Sequence, residues 1–226
     1  MNDRDAYIAL NMMQGVGPVS VRALALHLGS VAAIFSATAA DLQAAPEVNR
    51  EIINKICEQR TRLDPAREET RAAELEARIL TPVDAEYPRL LLEIYDPPLA
   101  LYLQGTLESR DRHAVAIVGS RHTTHYGLEC AERMARQLAQ SGFTVVSGLA
   151  RGIDTAAHQG ALKGQGRTLA ILGGALDRFY PPENRELGQA IARQGAVLSE
   201  FLMGREPDRT TFPMRNRIIS GLAVGV

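Results

Sequence analysis

Four short apolar runs constrain the fold more than any other feature of this chain: AVAIV (114–118), FTVVS (143–147), TLAIL (168–172) and AVLSE (196–200). Near-continuous hydrophobicity over four or five residues marks a strand covered on both faces. The segments between them, YGLECAERMARQLAQSG (126–142), DTAAHQGALKG (154–164) and ENRELGQAIARQG (183–195), carry helical apolar spacing and end at glycines. Alternation of this kind predicts an α/β fold with a doubly wound, mainly parallel sheet. The chain stops at GLAVGV (221–226), where another strand begins. The expectation is therefore a piece of a longer protein whose sheet continues.

The first half reads differently. DAYIALNMMQ (5–14) and VRALALHLGS (21–30) are helical and flank GVGP (15–18), with Pro18 at a helix start and Gly29 as a C-cap. Helix, G-V-G-P, helix is the form of a helix-hairpin-helix unit, whose backbone N–H groups can meet a DNA phosphate. The glycines serve equally to turn a compact helical bundle, and Arg22 is the only cation near the hairpin in sequence. DPAREETRAAELEAR (64–78) predicts a charged helix with Asp64 as N-cap, Pro65 at its first position and a solvated face. The Pro- and Tyr-rich stretch 79–107 predicts a connector packing short strands on the adjoining sheet domain. The division is a small all-helical domain (1–62), a connector (63–110) and a sheet domain (111–226).

Composition excludes several classes. No apolar run approaches the roughly 20 residues of a membrane span, and MNDRDAYIAL lacks the apolar core of a signal peptide. Cys57 and Cys130 alone make neither a disulfide framework nor a zinc site. The expectation is a cytoplasmic protein with no membrane contact. A net charge of -1 argues against a strongly basic nucleic-acid binder, but residues 1–113 carry 12 basic against 17 acidic side chains, whereas residues 114–226 carry 13 against 9. The sheet domain is the cationic half, suited to attract phosphates.

In open α/β sheets the ligand site lies outside the carboxyl ends of the strands. The loops there are GSRHTTHYG (119–127), SGLARGID (147–154) and LGGALDRFYPPEN (172–184), joined by FPMRNRIISGL (212–222). Gly119 permits close backbone approach, Ser120 supplies a hydroxyl and an amide, and Arg121 a forked cation suited to phosphate. Gly148 and Gly152 open the second loop, where Asp154 is placed to cap the next helix. Arg215 and Arg217 flank Asn216, so that one faces the cleft while the other anchors a neighbouring segment.

Several enzymes are excluded by what is missing. There is no G-x-x-x-x-G-K-[ST], no G-x-G-x-x-G after the first strand and no acid closing the second strand to hold a ribose. His122 and His125 have no carboxylate or cysteine beside them, Ser147 and Ser199 sit in no nucleophile elbow, and Asp154 with His158 orders a helix start. No catalytic set, cofactor or metal is expected. Glycines at strand ends, arginines, and Phe212 between Arg209 and Arg215 suit a groove that binds without reacting, as single-stranded nucleic acid is held by cations and aromatic stacking. Phe212 serves equally as a core anchor.

These segments resemble the DNA processing protein A (DprA/Smf) family: YPRLLLEIYDPPLALYLQG (87–105), AIVGSR (116–121), SGLARGIDTAAHQGAL (147–162), TLAILGGALDRFYPPEN (168–184), LSE (198–200) and FPMRNRIISGL (212–222). The helical N-terminus resembles the helix-hairpin-helix or SAM-like domain of that family. The resemblance implies a Rossmann-like domain that binds single-stranded DNA, protects it during natural transformation and loads the RecA recombinase. It implies a homodimer in the full-length protein, often with a winged-helix-like C-terminal domain, and no enzymatic activity. It places DNA contacts at Gly119, Ser120, Arg121, Gly148, Arg209, Phe212, Arg215, Asn216 and Arg217. The alternative is a nucleotide-processing, phosphoribohydrolase-like enzyme on a related fold. Such relatives use a PGGxGTxxE-like loop with a catalytic Glu, where this chain has LGGALDRFYPPEN; Glu200 is the best remaining acid, and its other role is to hold Arg215 or Arg217. A scaffold that needs no ligand is the third reading.

Overall fold

The computed structural model describes residues 1–226. The first 60 residues form α1 (Asp3–Met12), α2 (Pro18–Leu28), α3 (Ala33–Ser36), α4 (Ala39–Gln43) and α5 (Arg50–Gln59). Local chemistry sets their ends. Asn2, Thr38 and Asn49 accept a backbone N–H at the starts of α1, α4 and α5, and Gly29 closes α2 in the left-handed region at φ 88°. Leu10, Leu24, Ile34, Leu42, Ile53 and Ile56 fill the core between them. The Gln59 side chain accepts from Gln14 N (2.9 Å) and donates to Gln14 O (3.2 Å), holding the hairpin against α5.

Next come α6 (Pro65–Ala73), β1 (Ala77–Leu80), α7 (Arg89–Leu92) and β2 (Leu101–Gly105). Asp64 and Pro65 start α6 as expected, but the helix is shorter than the predicted 64–78. The chain turns at Glu76 (φ 54°), and Ala77 and Arg78 enter β1 to pair with Gln104 and Leu103. Inter-strand bonding outweighs the small helix propensity of one last turn. The solvated face is also interrupted. Glu68 is only 3% exposed and accepts from Tyr102 Oη (2.9 Å), Met203 N (2.9 Å) and Arg71 Nη1 (3.1 Å). A buried carboxylate with three donors ties α6 to the sheet, because leaving any of them unpaired costs desolvation.

The remainder alternates: β3 (Ala114–Ala116), α8 (His125–Gln140), β4 (Thr144–Ser147), α9 (Ile153–Lys163), β5 (Thr168–Ile171), α10 (Arg185–Gln194), β6 (Ala196–Ser199) and α11 (Thr211–Gly221). One six-stranded sheet results, in the order β1-β2-β6-β5-β4-β3. The four strands β3 to β6 are parallel, and β1 and β2 add an antiparallel margin beside β6. The connector strands thus extend the sheet itself. Val146, Leu169 and Leu198 face Tyr87, Leu91, Ile218 and Ile219 on one side, beneath α7 and α11. Val145, Ala170 and Val197 face the other, covered by α6, α8, α9 and α10. Both faces are buried, which explains why the strands read as continuous apolar runs. Gly160 of α9 has no room for a Cβ against the Glu132 carbonyl of α8, so these two helices pack backbone to backbone. Val224 and Gly225 run beside β3, with Val224 N on Ala114 O (2.8 Å) and Ala116 N on Gly225 O (2.9 Å).

At the amino ends of the strands a buried guanidinium closes the sheet. Arg167 Nε and Nη2 clasp Asp111 (both 2.9 Å), Nη1 reaches Glu108 (2.7 Å), and Nη2 donates to Thr106 O (2.7 Å). Thr144 Oγ1 donates to the same Asp111 (2.7 Å). Removing one member of such a cluster strands a buried charge. Arg167→Met is therefore expected to destabilise the fold by about 3–5 kcal/mol, read in urea denaturation; a loss under about 1 kcal/mol would mean the cluster is solvent-screened.

Candidate nucleic-acid interface

The loops after β3, β4 and β5 converge at the carboxyl edge of the sheet. Gly119 lies so close to Ile153 that an added Cβ would stand 2.7 Å from Cγ1. Ser120 Oγ accepts from His122 N (3.1 Å) and donates to His122 O (2.6 Å), so its hydroxyl serves the turn itself. Ser120 O accepts from Ile153 N (3.3 Å), and Gly152, at φ 77°, lies against that carbonyl where a side chain has no space. The first loop is thereby locked to the start of α9.

Beneath these loops lies a buried charged group. Asp154 does not cap α9 as the sequence suggests; Gly152 holds that position. Asp154 Oδ2 instead accepts from Gly148 N (3.2 Å) and Ala150 N (3.4 Å), organising the second loop. Burial raises its pKa, opposed by the Arg215 charge. Of the two roles open to Arg215, facing the cleft or anchoring a neighbour, the structure assigns the anchor: its guanidinium is buried, with Nη1 on Gly148 O (2.6 Å) and on Ile171 O. Gly148 must be glycine here, because the guanidinium occupies the volume of a Cβ. Burial lowers the Arg215 pKa to about 10, Asp154 opposes the shift and Arg121 adds to it, so the group remains a cation at neutral pH.

His158, fully buried below, completes the group. Thr168 Oγ1 donates to Val145 O (2.8 Å), so it must accept from His158 Nδ1–H (2.7 Å), which fixes the tautomer. Burial first, and Arg215 second, lower its pKa to about 3.

The outer surface of the loops is a row of cations and aromatic rings. The Arg121 guanidinium sits 4.6 Å over the Phe212 ring, the Phe212 and Tyr180 centroids are 6.0 Å apart, and Arg151 lies 5.7 Å over Tyr180. Arg151 also pairs with Glu183. Phe212 is both a surface ring and an anchor, since a Cβ on Gly173 would stand 2.6 Å from it. Arg209, three residues before Phe212, and Asn216, one helical turn after it, are exposed. Arg217 is not free: it holds Asp96 (2.7 Å) and Glu200 (2.6 and 3.0 Å), fulfilling the anchoring role foreseen for Glu200. Asp208 accepts from Thr210 N (2.7 Å) and Thr211 N (3.0 Å) and shapes the approach to α11.

Sequence reasoning missed Tyr180 and Arg151 as members of this row. Their signal was present, since both lie in strand-end loops, but nothing in the spacing shows that the second and third loops meet over Phe212. The helical hairpin is also differently placed than sequence adjacency suggests. Gly15, Val16, Gly17 and Pro18 wall a cavity of about 540 Å³ opposite Arg205, Met214 and Arg217, and Lys55 of α5 lies against Gly15, so cations near the hairpin come from α5 and from the far end of the chain.

Residues 78–226 match the DNA recombination-mediator protein A family, and residues 7–60 match a SAM-like helix-hairpin-helix tandem. The chain belongs to the DNA recombination-mediator protein A family. It is 41% identical over 230 residues to protein Smf of Synechocystis sp., covering 100% of this chain and 58% of that one. It is 44% identical over 144 residues to DNA processing protein DprA of Streptococcus pneumoniae, covering 64% and 51%. The chain thus spans about half the length of these relatives. The X-ray structure of DprA from S. pneumoniae superposes with a TM-score of 0.81 at 30% identity, over 99% of this chain and 76% of that one. DNA processing protein A from Helicobacter pylori, whose structure concerns its single-stranded DNA binding mode, superposes at 0.59 with 33% identity, over 66% of each.

The uncharged state of His158 has a measurable consequence for stability. A folded pKa of about 3 against an ordinary 6.5 means that this contribution is complete above pH 6.5 and is lost as pH falls from 6.5 towards 3. Stability is expected to fall in that window more steeply than in His158→Gln, by up to about 1.4 kcal/mol per pH unit. Urea denaturation at stepped pH checks this, and parallel curves for the two proteins contradict it.

Proposed function

We propose that this chain binds single-stranded DNA along the carboxyl edge of its sheet, without sequence preference and without chemistry of its own. The observation that carries the reading is the row Arg121–Phe212–Tyr180–Arg151, two neighbouring rings flanked by two guanidinium groups along one surface. Rings stack on any base and guanidinium groups attract the backbone, which is the pattern of sequence-tolerant strand binding. Gly119 and Ser120 supply backbone at close quarters, Arg121 and Arg209 supply charge, and Asn216 supplies an amide, while Gly148, buried with its amide on Asp154 and its carbonyl on Arg215, shapes the second loop from beneath. Arg215 acts from beneath as a buried cation, and Arg217 holds α11 in place. The Gly173-Gly174 corner after β5 is filled by Phe212 and Pro207, and Glu200 is engaged by Arg217, both in keeping with binding rather than catalysis. The binding mode attributed to the H. pylori relative supports the same reading. In the whole protein we assign this surface to protecting incoming DNA in the cytosol and handing it, as a homodimer, to the RecA recombinase during transformation.

Arg121→Ala is expected to weaken single-strand binding on every sequence and to flatten the log affinity–log salt slope by about 0.7, one phosphate contact. Phe212→Ala is expected to cost about 1–3 kcal/mol, the worth of one stacked base, with the salt slope unchanged. Fluorescence anisotropy over a salt series separates the two, and wild-type affinity and slope in both variants would sink the reading. For the recombinase step, the chain is expected to shorten the lag of RecA filament growth on DNA coated by a single-strand-binding protein. An unchanged lag removes that part of the assignment to this chain.

A further inference from the structure

A cleft of about 1070 Å³ opens between α8 and α9 beside the first loop, and Arg121 belongs both to its wall and to the aromatic row. Its other cations, Arg133 and Arg136, stand on α8, opposite Gln159 on α9. Both arginines are exposed, and neither has a carboxylate within 4.0 Å; Arg133 touches only Cys130 Sγ, at 3.9 Å. The two acids of the cleft do not cancel this charge: Glu132 holds Lys163 Nζ at 2.7 Å, and Glu129, 3.3 Å from the His125 imidazole, is one carboxylate against the three guanidinium groups of Arg121, Arg133 and Arg136. Two uncommitted guanidinium groups therefore continue the positive potential of Arg121 away from the sheet edge. A guanidinium without an internal partner on a folded surface is the group most ready to take a phosphate.

We propose that this cleft is a second DNA subsite, which takes the backbone of the nucleotides next to those on the aromatic row. The inference rests on the DNA-binding reading above and extends it by a place and a direction: the strand leaves the Arg121 loop over α8 and α9. Arg133 and Arg136 are one turn apart on the same face, about 4.5 Å along the axis. That separation is of the order of the step between successive phosphates of a strand, about 3.4 Å along a duplex axis and longer when extended. The cleft has no Phe, Tyr or Trp in its wall; the imidazoles of His122 and His125 are its only rings. Contact by Arg133 and Arg136 is with phosphate, and its energetic signature is charge and length dependence rather than base preference.

The test is a length series of oligo-dT, from about 6 to about 20 nucleotides, titrated over salt with the full chain, with Arg133→Gln/Arg136→Gln and with Arg133→Lys/Arg136→Lys. The expected result is that the Gln pair binds the short oligonucleotide as the wild type does. On the long one it loses about tenfold in affinity at low salt and flattens the slope by about 1.4, two single-strand phosphate contacts. The Lys pair retains most of both, since charge rather than the fork is what the backbone reads. Both pairs alter only exposed side chains, and the Lys pair reports on the cleft even if the Gln pair melts early, since a loss of the length increment with charge conserved overturns the proposal. Equal loss on short and long oligonucleotides also overturns it, by placing these arginines in the central site. So does a Gln pair indistinguishable from wild type at every length. Absence of binding by the wild type itself would instead remove the reading on which the subsite rests.

Discussion

The interaction on which the site depends is a buried cation. Two carbonyls stand at the carboxyl edge of the sheet, that of Gly148 just after β4 and that of Ile171 at the end of β5. Arg215, sent inward from α11, donates to the carbonyls of Gly148 and Ile171, while Asp154 takes the amides of Gly148 and Ala150 from the opposite side. One cation and one anion thus fix three segments that are distant in sequence. A buried charge is retained only where its surroundings hold it, and here the same surroundings position every loop that reaches the surface. The Asp111–Arg167 clasp does the equivalent at the other end of the strands.

The surface of the site is a consequence of that arrangement. Because the Gly148 turn has no side chain and Gly173 accommodates the Phe212 ring, the second and third loops come together and place Arg121, Phe212, Tyr180 and Arg151 in one row. No single member is a strong site. Arranged in series they offer two rings between two charges, and a polymer engages several at once where a small cofactor would engage one or two. The helical N-terminal segment joins this organisation through contact. Ile8 packs in the sheet's core, Leu99 of the connector packs in the helical core, and Asn11 Nδ2 donates to Glu200 O (3.3 Å).

Much of this was legible in the sequence for definite physical reasons. Burial on both faces leaves an unbroken apolar run, so all four parallel strands could be read within a residue or two, and glycine, proline, Asp64 and Gly29 marked helix ends through local backbone chemistry alone. The order of motifs from residue 87 to 222 carried the family. The loops of the site were legible because ligands gather at the carboxyl edge of such sheets. The sequence by itself therefore determined which elements form, which strands are buried and which loops share the functional edge.

Only the tertiary structure decided what each charged side chain does. Arg121, Arg215 and Arg217 are indistinguishable as letters, yet one stacks on a ring at the surface, one is buried under a glycine, and one is held by two carboxylates. Asp154 has the look of a helix cap and serves a neighbouring turn, and Glu68 sits within a charged run and is buried. The last turn of the expected helix over 64–78 became strand, because its partner in β2 is more than twenty residues away. The physical reason is common to all of these. Backbone preferences are local and are written in adjacent residues, whereas the environment of a charge is set by the segments packed around it, which meet only when the chain has folded.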